Sequence, residues 1–307
     1  MRSQLEFDQY ISPDGEVYNF NNHVDRFLFP TDNLGMSPIR YVTQRGPFQD
    51  GETLLDFFLE PRLIQVRHRR LAKSRNGQWD ARDDIIDMIR PNRQEANSLT
   101  HGVLRKIFPD GRIRDLSVLV QQGPQFDRAF GSGWDEWAVD DVIRFIAHDP
   151  TFFDPTVVDT DFSFTSFEEL SFPIDFPILF FSSTLDDTAS FSYSGTWLTY
   201  PTIVIDGPIS GIIITNTSID KKIELSYQIK ANETVTISTA YGDKTVENQN
   251  GTNLIGTLST DSDLDTFHIA PDPVAPDGVN TIRVQGTEVE PETTNISFSY
   301  YTRYIGI

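Results

Sequence analysis

A mainly β protein in two domains, with a single helix set into the first, is the fold class the sequence predicts. Three observations carry it. Short runs rich in β-branched and aromatic residues recur between Gly, Pro, Asn and Asp along the whole chain. Only one stretch has the helical period. A proline-bracketed segment, 149–177, divides a mixed-charge first part from a strongly acidic second part. At 307 residues the chain suits two domains.

In the first part, GEVYNF (15–20), VDRFLF (24–29) and PIRYVTQ (38–44) read as strands bounded by turn residues. PRLIQVRHRR (61–70) alternates at first and then turns basic. SRNGQW (74–79) is expected to be a hairpin tip, because Asn-Gly tolerates positive φ. ARDDIIDMIRP (81–91) is the helix. Ile85, Ile86 and Ile89 share a face, acids lie early, Arg90 lies late, and Pro91 ends it. GVLRKIFPDGRIRDLSVLV returns to a hairpin turning at Pro109–Gly111, and WDEWAVDDVIRFIA (134–147) is a further strand. That strand runs into FIAHDPTFFDP (145–155), two adjacent phenylalanines between two Asp-Pro breaks.

The second part holds eight short strand candidates: WLTYPTIVIDG, GIIITNTS, KKIELSYQI, ETVTISTAYG, KTVENQNG, DTFHIA, VNTIRVQG and ISFSYYTRYIGI. Strands at this spacing with almost no helical period predict a β-sandwich. The expected division is 1–155 and 156–307.

Composition excludes several classes. There are no cysteines, so disulfides, thiolate metal sites and cysteine nucleophiles drop out. No apolar run is long enough for a membrane span, and the opening residues lack the apolar core of a secretion signal, so we expect a soluble protein made in a reducing compartment with no membrane partner. The net charge is −20, near −4 over 1–150 and near −16 over the rest. An acidic surface repels nucleic acid.

The candidate chemistry is thin. The acid pairs Asp83/Asp84, Asp140/Asp141, Glu168/Glu169 and Asp186/Asp187 are sequence neighbours, which point to opposite faces on a strand, so no catalytic pair is assigned. DSDLD (261–265) opens like a calcium loop but has Thr266 where the loop needs Gly and Asp272 where it needs Glu. The histidines His23, His68, His101, His148 and His268 have no ligand spacing, and His148 is expected to pack at the domain junction. GSG (131–133) reads as a flexible turn. Catalytic, cofactor and metal sites are therefore expected to be absent. Tyr193, Trp197, Tyr200, Tyr241, Tyr300, Tyr301 and Tyr304 could stack on sugar rings, though alternate aromatics on strands are more often core. The one positive patch, Arg67, Arg69, Arg70, Lys73 and Arg75, is expected to dock an acidic neighbour subunit.

Several strings in one order resemble a known family. They are GPFQDGETLLDFFLEPRLIQV (46–66), a helix ending in IRP (89–91), VLRKIFPDGRIRDLSVLV (103–120), FIAHDPTFFDP (145–155), YSGTWLTYPTIVIDGPISGIIITNTSIDKKIELS (193–226) and IAPDPVAPDGVNTIRVQG (269–286). The chain is similar, over nearly its whole length, to the distal tail proteins of long-tailed (siphovirus-type) bacteriophages and related baseplate components. That resemblance implies a ring-forming first domain and a peripheral galectin-like sandwich. It implies a virion protein made in the bacterial host cytoplasm and placed at the tail tip, where copies of itself, commonly six, form a ring. The tail tube protein, the baseplate hub and a receptor-binding protein would be its partners, with DNA only as passing cargo. The basic stretch 67–79 is longer and more charged than this family leads one to expect. Within this picture Pro150, Phe152, Phe153 and Pro155 would form an interdomain seam, the prolines restricting the backbone and the rings filling it. Host-glycan binding through the sandwich is the alternative function.

Overall fold

Hydrogen-bonded pairing rather than helix dominates the computed structural model, which describes residues 7–22, 24–31, 33–93, 100–126, 138–163, 184–290 and 293–307. The chain divides into two units: Met1–Pro155 with Tyr304–Ile307, and Thr156–Arg303.

The first unit contains β1 (Gln9–Ile11), β2 (Val17–Asn19), β3 (Arg26–Leu28), β4 (Ile39–Gln44), β5 (Thr53–Leu59), β6 (Arg62–Leu71), α1 (Arg75–Ile89), β7 (Gly102–Ile107), β8 (Ile113–Gln122), β9 (Ala138–Ala147) and the start of β10 (Phe152–Ser163). β2, β1, β7 and β8 lie side by side, all antiparallel. β8 then shifts register and passes to β9, which pairs with β6 over ten residues, and β6 pairs with β3. Alternate residues of β6 face inward, placing Ile64, Val66 and His68 in the core with Tyr10, Phe20, Leu104, Leu116, Phe145 and Phe152. α1 packs Ala81, Ile85 and Ile89 inward.

The helix begins six residues before the sequence suggests. SRNGQW is not a hairpin tip. Ser74 is extended and its hydroxyl accepts the Gly77 N–H at 3.1 Å, so it serves as the N-cap. A capped first turn outcompetes the Asn-Gly turn preference. Replacing Ser74 with Ala is expected to cost about 1 kcal/mol, read as a lower urea midpoint with unchanged slope.

The second unit contains the rest of β10, then β11 (Thr184–Ser192), β12 (Thr202–Asp206), β13 (Ser210–Asn216), β14 (Lys221–Leu225), β15 (Thr234–Ser238), β16 (Thr245–Asn248), β17 (Val279–Thr287) and β18 (Asn295–Tyr304), whose last residue belongs to the first unit. One sheet has the order β16-β15-β12-β18, and the other β11-β17-β13-β14. Inward residues of both, such as Ile203, Ile205 and Phe298 from the first and Ile214, Ile223 and Val284 from the second, fill one core. This is a β-sandwich.

Two readings need correction here. DTFHIA is not a strand. The buried Asn280 carboxamide accepts from the Ala270 N–H (2.9 Å) and donates to the Ala270 carbonyl (2.8 Å), taking the bonds a strand partner would take. Conversely β11, TLDDTASFS, pairs with β17 along nine residues although its composition is polar. Cross-strand pairs such as Asp186 with Arg283 stabilise it instead. No helix among the described residues is long and apolar enough to cross a membrane.

Candidate assembly interface

The sequence TLLDFFL lacks alternation, which for a strand usually means burial on both faces. It is instead β5, and six of its seven residues are exposed. Among the described residues β5 pairs only with β4, as a hairpin joining Ile39 to Leu59 and Tyr41 to Phe57. Its base is held where Ser37 donates to the Glu60 carbonyl at 2.7 Å. Leu54, Leu55, Phe57 and Phe58 are 59, 57, 47 and 54% exposed. Leu54 and Phe57 lie on one face, opposite Thr43 and Tyr41, Phe58 lies on the other, opposite Arg40, and Leu55 sits at the register shift between them. An isolated two-stranded hairpin is marginal in water, and apolar side chains on both faces make it a surface built for cover.

The structure separates the members of the basic patch. Arg69 grips Asp140 with two hydrogen bonds of 2.6 and 2.7 Å, and Arg70 binds Asp84 at 2.8 Å. Both contacts lie within the first unit. Arg67, Lys73 and Arg75 are exposed, the first on β6, the second on the bend before α1 and the third at the first residue of α1.

Phe152 is fully buried in the first unit's core, 6.3 Å from the Phe7 ring. Phe153 is half-buried on β10 opposite Asp115, Pro155 is the last residue of the 1–155 segment, and the Pro150 carbonyl accepts from Arg62. His148, expected to pack at the junction, is exposed on the bend after β9. Sequence reasoning missed Arg62 altogether. It is fully buried, and its guanidinium donates to the carbonyls of Pro150 (3.0 Å), Asn33 (2.5 Å), Gly35 (2.6 Å) and Ile305 (2.9 Å) while lying 4.7 Å from the Phe152 ring. Burial lowers its pKa to about 10, so it remains a cation at neutral pH. The only signal for it was position, an Arg in the inward phase of β6.

Asp140 faces Arg69 while Asp141, its neighbour, faces inward to His68 at 3.3 Å. Asp84 pairs with Arg70, and Asp186 pairs with Arg283. Asp263 of DSDLD accepts from Lys221 at 3.0 Å and from the Lys222 N–H, which makes a strand-anchored turn. Among the described residues no His, Asp and Glu group could hold a metal ion. Glu168, Glu169, His23 and GSG lie outside the described residues. Of the aromatics considered for sugars, Tyr193 and Tyr300 are buried, and Tyr304 sits in the first unit with the Arg114 guanidinium 3.6 Å from its ring centre. Tyr241 is exposed, 4.7 Å from the Tyr200 ring, with the Lys244 ammonium 4.9 Å away.

His68 and Asp141 form a buried pair inside an aromatic shell, with the Tyr18 and Phe20 rings edge-on to the imidazole. Burial raises the Asp141 pKa, and the hydrogen bond from His68 opposes this only in part. A carboxyl raised in the fold contributes stability that is full below its unfolded value, about 3.9, and is lost as pH rises through its folded value. Asp141→Asn is therefore expected to flatten the pH dependence of unfolding above about pH 4, measured as urea stability across pH for both proteins.

Comparison with known proteins bears on the same units. Residues 194–304 match the family model described as siphovirus-type tail component, C-terminal domain. The crystal structure of the Dit (gp 19.1) protein of SPP1, described as a paradigm of the hub adsorption apparatus in phages infecting Gram-positive hosts, is similar in fold. The TM-score is 0.58 at 12% identity, covering 90% of this chain and 93% of that one. The phage P2 baseplate, in its activated conformation with calcium, gives 0.45 at 11% identity over 95% and 97% of the two chains. No curated protein matches the chain significantly.

Proposed function

We propose that this chain, whose residues 194–304 match the siphovirus-type tail component model, is a distal tail protein whose copies close into a ring, six in number, between the tail tube and the baseplate hub. The observation that carries the ring is the β4–β5 arm. Ring closure by head-to-tail contact needs two complementary surfaces on each copy. An arm with apolar side chains on both faces, and with two strand edges unpaired among the described residues, supplies one of them, through side-chain burial and added main-chain bonds. Covering the exposed parts of Leu54, Leu55, Phe57 and Phe58 would contribute about 3–6 kcal/mol per contact. Association itself costs about as much or more, so the arm has to act together with a second contact on each copy. The exposed Arg67, Lys73 and Arg75 would add a docking surface for an acidic neighbour, and Pro150, Phe152, Phe153 and Pro155 would set the direction in which the chain leaves the first unit. The tail tube protein, hub and receptor-binding protein are the proposed neighbours, at the virion tail tip. Carboxylates facing the channel would let DNA pass without adhering.

Native mass measurement with negative-stain imaging tests this. Discrete rings of six support it, and a monomer at every concentration rejects it. A second reading, glycan binding by the sandwich, is favoured only by the exposed Tyr241 with its neighbouring Lys244 cation. A glycan array with the whole protein, compared with Tyr241→Ala, decides it.

A further inference from the structure

Residues 304–307 belong to a different unit from the rest of the strand that leads into them. β18 serves the second unit through Arg303, yet Tyr304–Ile307 belong to the first. Each of the four has a place there. Tyr304 lies over the nearly buried Arg114 guanidinium, 3.6 Å from ring centre to the guanidinium carbon. The Ile305 carbonyl accepts from Arg62 at 2.9 Å. Gly306 runs so close to the Gly35 backbone that an added Cβ would lie 2.9 Å from its carbonyl carbon and 3.0 Å from its oxygen. The Ile307 N–H donates to the Leu34 carbonyl at 3.1 Å, and Tyr304 and Ile307 both pack against the core.

These contacts complete structures that the first 155 residues leave open. Arg62 is a buried cation with no carboxylate among its hydrogen-bond partners. Three of its acceptors, Asn33, Gly35 and Pro150, exist once the first half has been made, and the fourth arrives with Ile305. A buried charge short of an acceptor is costly, and an unclosed apolar core exposes surface that associates wrongly.

We infer that residues 304–307 are a closing strap, and that the first unit reaches its assembly-competent fold only when this segment has been made and docked. A nascent or truncated chain then cannot enter the ring, because the ring-forming surfaces stand on a unit that is not yet closed. The assembly part of this inference rests on the ring reading, whereas the strap does not.

Two full-chain variants test it: deletion of 304–307, and Gly306→Ala, in which the new methyl meets backbone that has no rotamer to yield. Calorimetry is expected to show the first unit's transition lowered by more than about 5 °C in the deletion. Hydrogen exchange is expected to speed up at least tenfold at Leu34, Gly35 and Phe152 in both variants, with Ile203 and Ile237 of the second unit unchanged. Native mass spectrometry is expected to show the loss of rings. If the deletion is insoluble, exchange in Gly306→Ala decides alone. Unchanged exchange and melting in both variants would overturn the strap. Lost protection in variants of a wild-type protein that is itself monomeric would support the strap and reject the ring. Lost protection with rings intact would overturn the assembly requirement.

Discussion

Arg62→Met is expected to destabilise the first unit by about 4 kcal/mol, lowering its melting temperature by roughly 10 °C. Methionine fills a similar volume but offers no donor. The carbonyls of Asn33, Gly35, Pro150 and Ile305 would lose their shared partner, and the Phe152 ring would lose the cation above it. Removing the buried charge recovers some desolvation cost, since burial already disfavours the cation. The orphaned acceptors outweigh that gain, because a buried unpaired carbonyl costs on the order of 1–3 kcal/mol and four are affected at once. Arg62→Lys should recover only part of the loss: a single ammonium cannot span acceptors arranged around a planar fork. Calorimetry of the two variants beside the wild type checks this. A shift smaller than about 3 °C in Arg62→Met would mean that the four bonds are nearly balanced by desolvation.

Phe57→Asp with Phe58→Asp is expected to abolish association while leaving the melting of each unit within about 2 °C of wild type. Both rings are about half exposed on a hairpin that, among the described residues, joins no larger sheet, so the isolated chain loses little when they are replaced, and surface changes of this kind ordinarily stay near 0.5 kcal/mol. In an interface the same carboxylates would be buried without partners, which costs several kcal/mol per contact and weakens each at least a hundredfold. Because Phe57 and Phe58 point to opposite faces, the single variants separate two cases. If only one disrupts the assembly, the arm lies on its neighbour. If both do, the arm is inserted into it. Sedimentation with thermal melting distinguishes loss of association from loss of fold, and a double variant that still forms rings would remove the arm from the interface.

The β character, the single helix and the sandwich were legible because they follow from local chemistry. Period-2 alternation in LIQVRH and TIVID faces one side to a core wherever that core lies, and turn residues between the runs stop each strand. Asp140 and Asp141 were rightly separated to opposite faces for the same reason. The reading failed where a contact distant in sequence outbid a local preference. Ser74 as a cap turned an Asn-Gly hairpin signal into helix, and the Asn280 side chain kept DTFHIA out of a sheet.

Local residue pattern settled which segments are extended and, for the alternating ones, which side of each faces inward, since alternation and turn propensity act over a few residues. What only the tertiary structure decided is where those surfaces end up. TLLDFFL has the composition of a buried strand, yet about half of each of Leu54, Leu55, Phe57 and Phe58 is left exposed among the described residues. Arg62 has the composition of a surface residue and is buried, because carbonyls from positions 33, 35, 150 and 305 converge on it. Burial is a property of the assembled chain, and no window of neighbouring residues contains it.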